Sequence, residues 1–202
     1  MPSRNVIKVY VEDSYYHVYN RGVSKQAIFL DDADYIVFTG LLKRYLSPYI
    51  EKQANRVAYP SFAGDVSLMA HCLMPNHFHL LLHQKSRDGM KGLLKCLSVS
   101  YSMYFNKKYK HVGAVFQQRY RAVRIIEEAQ FANISRYIHM NPDGYRTWRW
   151  SSLPYYIDSK TSSWLVTDKL PDVGDYQKFL DDYRDKRHEL RDIEDELAGT
   201  WQ

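Results

Sequence analysis

The sequence predicts an α+β fold, an antiparallel sheet with helices packed on it. Three observations carry this expectation. Stretches of period-two alternation and stretches of 3.6-residue apolar spacing follow one another as strand, helix, strand, strand, helix, strand. The length of 202 residues suits one domain with some room for extensions. The composition is 45% hydrophobic, 15% aromatic and 25% charged, with no low-complexity tract, so a sizeable core can be buried.

The elements follow in order. Tyr15 to Arg21, YYHVYNR, alternates and is rich in β-formers, which predicts a first strand. Asp31 and Asp32 offer N-caps, and Tyr35, Phe38, Leu41, Leu42 and Tyr45 follow at helical spacing. A helix from Asp32 to about Tyr45 is expected, ended by Ser47-Pro48. YPSFAGD, Tyr59 to Asp65, is loop chemistry. Val66 to Met74 and His77 to His83 predict two strands joined by a tight Pro75-Asn76 turn. Met90, Leu93, Leu94, Leu97, Tyr101, Tyr104 and Phe105 form one apolar stripe on a long helix. Gly113 to Ile126 alternates strongly and predicts a strand or hairpin. A short helix follows from about Glu128, and Pro142 ends it. Tyr145 to Trp164 is aromatic and irregular, and Asp175 to Leu197 predicts one more helix. This order is the split β-α-β pattern of ferredoxin-like folds. With helices on one face of such a sheet, the other face is expected to be free for a ligand.

No apolar run approaches the roughly 20 residues of a membrane span. The start, MPSRNVIKVYVED, contains no apolar core of a secretory signal. Cys72 and Cys96 make no disulfide framework, which fits a reducing compartment, and a cytoplasmic location is expected. The net charge is +5, unevenly spread. Asp168 to Leu197 holds 11 acidic and 6 basic residues, a net of −5, leaving +10 on the rest. A basic body with interleaved tyrosines is the footprint of a nucleic-acid binder. The acidic tail is then either a phosphate mimic over the DNA groove or an ordinary solvated helix.

The chemistry is expected around MPNHFHLLLH, Met74 to His83. In a strand, residues i and i+2 share a face, so His77 and His79 project together, ~7 Å apart along the strand. Such a pair can chelate one divalent ion. It can equally be two partly exposed histidines packed beside aromatics, and His71, His83 and His139 read as structural, although His71 could approach the pair from the neighbouring strand. In the short helix, Phe131, Ile134 and Ile138 make an apolar seam. Tyr137 and Asn141 lie four apart beside it, on one helix face. Two imidazole nitrogens and one amide oxygen would give three ligands to a hard or borderline cation, with positions left for phosphate oxygens.

MPNHFHLLL resembles the metal-binding signature of HUH nucleases, two histidines around one bulky apolar residue. SRYIHMNP, Ser135 to Pro142, resembles the nucleophile helix of single-tyrosine HUH transposases. With YYHVYNRG, YFNKKYKHVGAVFQQRYRA and WRWSS, the chain resembles the REP-associated tyrosine transposases, relatives of the IS200-like transposases, over about Tyr15 to Tyr156. The resemblance implies a metal-dependent single-strand DNA endonuclease and strand transferase acting at or near short palindromic hairpins. His77 and His79 match the metal histidines, Tyr137 the nucleophile, and Asn141 stands where relatives place a third metal ligand. Mg²⁺ or Mn²⁺ is the implied ion. No second tyrosine follows at helical spacing, which implies the single-tyrosine subclass.

Expected phosphate contacts are Arg21, Lys107, Lys108, Lys110, Arg119, Arg121 and Arg124. The expected division is a transposase domain over residues 1–156 and an extension over 157–202 with the acidic tail. DNA containing a single-stranded hairpin is the expected partner, with no membrane, and the chain acts as a monomer or homodimer. Two rival readings are a non-catalytic hairpin-binding protein on the same fold and a metal hydrolase that activates water. The second would need further Asp, Glu or His ligands.

Overall fold

A computed structural model describes residues 10–49, 58–158, 160–169 and 175–183. Strand β1 spans Ser14–Arg21, helix α1 Asp32–Leu46, strands β2 and β3 Val66–Met74 and His77–Gln84, and helix α2 Gly89–Tyr109. Strand β4 spans Arg121–Ile125, helix α3 Glu128–Met140, and two short helices follow, α4 at Pro154–Ile157 and α5 at Tyr176–Asp181. The four strands form one antiparallel sheet in the order β2-β3-β1-β4. That order is the one expected of the ferredoxin-like pattern, with β1 and β3 in the centre.

Local chemistry explains the elements. Asp31 caps α1 by accepting from the Asp34 amide, and Asp34 accepts from the Asp31 amide in return, a capping box built from two aspartates. Helix α1 ends at Ser47, ahead of Pro48. Helices α1 and α2 pack on one face of the sheet, where Phe38, Leu42, Phe78, Leu80, Leu82, Leu97 and Tyr101 are fully or almost fully buried. Each such side chain contributes ~1.5–3 kcal/mol through burial.

Two sequence expectations need correction. The stretch from Gly113 is a strand only over Arg121–Ile125. Gly113 takes a φ of 106°, and Phe116 makes only an isolated bridge to Gly22. Paired length is set by β1, whose register with β4 runs from Tyr15 to Tyr19 only. Second, the other sheet face is not left open. Helix α3 lies on it, pressing Phe131, Ile134 and Ile138 against Met69, Ala70, Cys72, Leu81 and Ile125. An amphipathic helix with so apolar a seam has no better place to bury it.

The segment after β1 has a supporting role. Gly22 donates to the carbonyl of Asn76 in the β2–β3 turn, and Ile28 and Phe29 both donate to the carbonyl of Pro75. A Cβ on Gly22 would meet the Gln26 carbonyl oxygen at 2.2 Å, so this close return of the chain requires glycine. The expected boundary near residue 156 marks no gap in packing. Trp164 and Leu165 join the main core, Leu165 bridges to Leu68, and Tyr176 and Leu180 of α5 pack with Tyr145 and Leu153. Of the helix expected over Asp175 to Leu197, α5 covers Tyr176–Asp181, and residues 184–202 lie outside those described. No helix among the described residues is long and apolar enough to cross a membrane.

Candidate active site

The α3 face of the sheet carries ordered rows of side chains. Register places Cys72, His79, Tyr19 and Arg121 in one row across four strands. Met74, His77 and Arg21 form the next row, at the end of the sheet. Ala70, Leu81, His17 and Val123 form the row on the other side. His77 and His79 therefore share a face as their spacing requires, with ring centroids 4.9 Å apart and planes at 89°.

His77 is held through Nδ1, which lies 2.6 Å from the side-chain oxygen of Asn76. The Asn76 amide nitrogen donates to the Lys25 carbonyl at 3.1 Å, which fixes the amide so that its oxygen faces the ring. Nδ1 of His77 therefore carries the proton, and Nε2 presents a lone pair. That nitrogen faces Oδ1 of Asn141 at 3.2 Å. Burial pushes the His77 pKa down to about 4, against the pull of the Asn141 oxygen and with a small push from Arg21. His79 lies well below the ordinary range through burial, then through His77 and His17. Both imidazoles are neutral at neutral pH, the state in which they ligate a metal.

The donors fit a small hard cation. Neighbouring ligands at the ~2.1 Å typical of octahedral Mg²⁺ stand ~3 Å apart, close to the His77–Asn141 separation. Among the described residues no group of three or more His, Cys, Asp and Glu is placed to hold a metal, and a cation here would be met by two imidazoles and one amide.

Tyr137 lies one turn before Asn141 on α3 and is 6% exposed. Its ring stands edge-on to His79 with centroids 5.5 Å apart, and edge-on to His17 at 5.8 Å. Helix α3 is fixed on both sides. Its apolar seam grips the sheet, while His139 bonds the Tyr176 hydroxyl and Ser152 Oγ, both at 2.7 Å. His139 is thus structural, as is His71, which lies in the Leu80 row and packs against Trp164. His83 bonds Asp13 at 2.8 Å.

His17 is a site residue that motif reading passed over. It is fully buried, and its Nε2 lies 2.9 Å from Nδ1 of His79. The alternation of Tyr15, His17, Tyr19 and Arg21 was the available signal. What it lacked was the register that sets His17 beside His79.

The basic residues divide. Arg21 and Arg121 belong to the site rows, and Arg119 borders both the site and a groove of about 840 Å³ beside α2, lined by Tyr10, Lys95, Phe116 and Tyr120. Arg124 stands opposite Tyr16, whose side chain belongs to the α1/α2 side. Lys107, Lys108 and Lys110 lie at the end of α2, behind the sheet. Lys108 is committed to ion pairs with Asp31 at 2.7 Å and Asp34 at 2.8 Å, so its charge is already compensated.

No curated protein matches the chain in sequence. Among solved structures, a REP-associated tyrosine transposase bound to a REP hairpin superposes with a TM-score of 0.54 at 15% identity, covering 84% of this chain and 92% of that one. This likeness shows the fold. A chain described as a transposase from Deinococcus radiodurans R1 is 16% identical, with 65% of this chain and 93% of that one covered and a TM-score of 0.37. The model of the IS200-like transposases matches residues 10–141, the span that holds the whole sheet, both histidines, the tyrosine and Asn141, and the chain belongs to the IS200-like transposase family.

Proposed function

We propose that the protein is a metal-dependent single-strand DNA endonuclease and strand transferase in which Tyr137 forms a 5′-phosphotyrosine, acting at or near short hairpins. The observation that carries this reading is the convergence of Tyr137 and Asn141, one helical turn apart, on the histidine pair of β3. A hairpin is bound by the structural neighbour, and Arg21, Arg119 and Arg121 give this chain cations beside its site.

His77, His79 and Asn141 would hold the ion, Mg²⁺ or Mn²⁺. Bound there, such an ion neutralises charge developing on a phosphate and orients it. The protein supplies the rest. The α3 seam places the Tyr137 phenol beside the pair, so attack is intramolecular once DNA is bound. A phenol with a pKa of about 10 in water must lose its proton as it attacks. Tyr137 Oη forms a bond to phosphorus, the P–O3′ bond breaks, and the departing 3′ oxygen takes up a proton. The reverse attack by another 3′-hydroxyl releases the tyrosine and rejoins the strand, conserving the bond energy.

A hydrolase would call for further ionisable ligands, and among the described residues no group of three or more His, Cys, Asp and Glu is placed to hold a metal. The test is a 3′-labelled single-stranded hairpin substrate incubated with Mg²⁺ or Mn²⁺. A labelled band that survives SDS is expected, mapping to Tyr137 and missing in Tyr137→Phe. An adduct on another tyrosine, or cleavage by Tyr137→Phe at the wild-type rate, overturns the assignment.

A further inference from the structure

We propose that His17 is a positioning residue that sets the tautomer of His79, so that His79 offers the lone pair of Nε2 to the divalent ion. This rests on the metal reading of the site given above. His17 Nε2 and His79 Nδ1 lie 2.9 Å apart, both rings are buried, and the rings stack at 19°. One proton occupies that contact. Were it carried by His17, the proton of neutral His79 would sit on Nε2, and no lone pair would face a cation. With His79 as donor from Nδ1, Nε2 is free and His17 is the acceptor. Only the second arrangement makes a ligand.

The first ligand shows the same device. Asn76 accepts from Nδ1 of His77 and leaves its Nε2 exposed to Asn141. His17 does for His79 what Asn76 does for His77, and both ligand rings are held through the same nitrogen. Metal-bound histidines generally donate their second N–H to a fixed acceptor, and losing that acceptor costs 10–100-fold in metal affinity. The other nitrogen of His17, Nδ1, is buried without a hydrogen-bond partner among the described residues. An orphaned buried polar atom is costly, and a phenylalanine filling the same space would avoid it. The identity of residue 17 is therefore explained by its Nε2 contact rather than by packing.

The test compares His17→Phe, which keeps a ring and removes the acceptor, with His17→Gln, which returns an amide oxygen near the position of Nε2. Mn²⁺ is titrated into each without DNA, with binding followed by electron paramagnetic resonance. His17→Phe should bind Mn²⁺ about 10–100-fold more weakly, and His17→Gln should stay within about threefold of wild type. Wild-type affinity in His17→Phe, or equal losses in both variants, overturns the inference. His77→Ala is the control. If it loses Mn²⁺ while His17→Phe keeps it, only this inference falls. If His77→Ala binds Mn²⁺ as wild type does, the metal reading and this inference fall together. Should His17→Phe not fold, ¹⁵N imidazole shifts of the wild-type protein decide. A proton on His79 Nδ1 supports the assignment, and one on Nε2 overturns it.

Discussion

His77 Nε2 and Asn141 Oδ1 lie 3.2 Å apart, and this contact ties the start of β3 to the end of α3. If it is one edge of a metal site, Asn141→Ala should weaken Mn²⁺ binding at least tenfold, about 1.4 kcal/mol. Asn141→Asp adds a negative ligand and should bind at least as tightly as wild type. Calorimetric titration of both variants checks this. Wild-type affinity in Asn141→Ala removes Asn141 from the ligand set.

His77→Ala and His79→Ala should each abolish cleavage and leave hairpin binding within about threefold. Phosphate contacts position a nucleic acid, and on the proposed reading they would come from the basic side chains rather than from the imidazoles. Gel shifts and cleavage assays on the same preparations separate the two effects. Full cleavage by either variant ends the metal hypothesis.

Stability should depend on pH through the buried histidines, two of which lie outside the site. His71 and His139 are fully buried, and burial lowers their pKa values to about 4 and about 3. Unfolded, each titrates near 6.5. As pH falls below about 6.5, the unfolded chain takes up protons that the native chain refuses. Their contribution is therefore complete above pH 6.5 and is lost as pH falls toward 4 and 3. The slope is up to ~1.4 kcal/mol per pH unit for each histidine. Urea unfolding at about pH 7.5, 6 and 5 measures it, and a flat stability over that range contradicts the burial argument.

Helix α3 packs on the sheet of its own chain, and a site built in that way would draw both histidines, Asn141 and Tyr137 from one polypeptide. A mixture of Tyr137→Phe and His77→Ala proteins should therefore show no cleavage. Measurable cleavage by the mixture, absent from either variant alone, would demonstrate exchange of α3 between chains.

Much of this site was legible because strand and helix periods are local. His-x-His in a strand places two rings on one face, and four residues in a helix place Tyr137 above Asn141. What was not legible depended on partners distant in sequence. Lys108 reads as a DNA contact until Asp31 and Asp34, from the start of α1, are found against it. His17 reads as one more strand histidine until register brings it beside His79. Gly113 to Tyr120 alternates like a strand, yet it meets the chain after β1 through the single Gly22–Phe116 bridge, and alternation cannot report how much of an edge is available.

A site assembled within one chain around one phenol also has a consequence in time. On the proposed chemistry, Tyr137 holds a single 5′ end. Breaking and joining must then alternate at one address, with the released 3′ end leaving before another arrives. The fate of a strand is decided by which 3′-hydroxyl returns first. The lifetime of the protein-bound intermediate, rather than the cutting step, would set whether the outcome is repair of the original strand or a new junction.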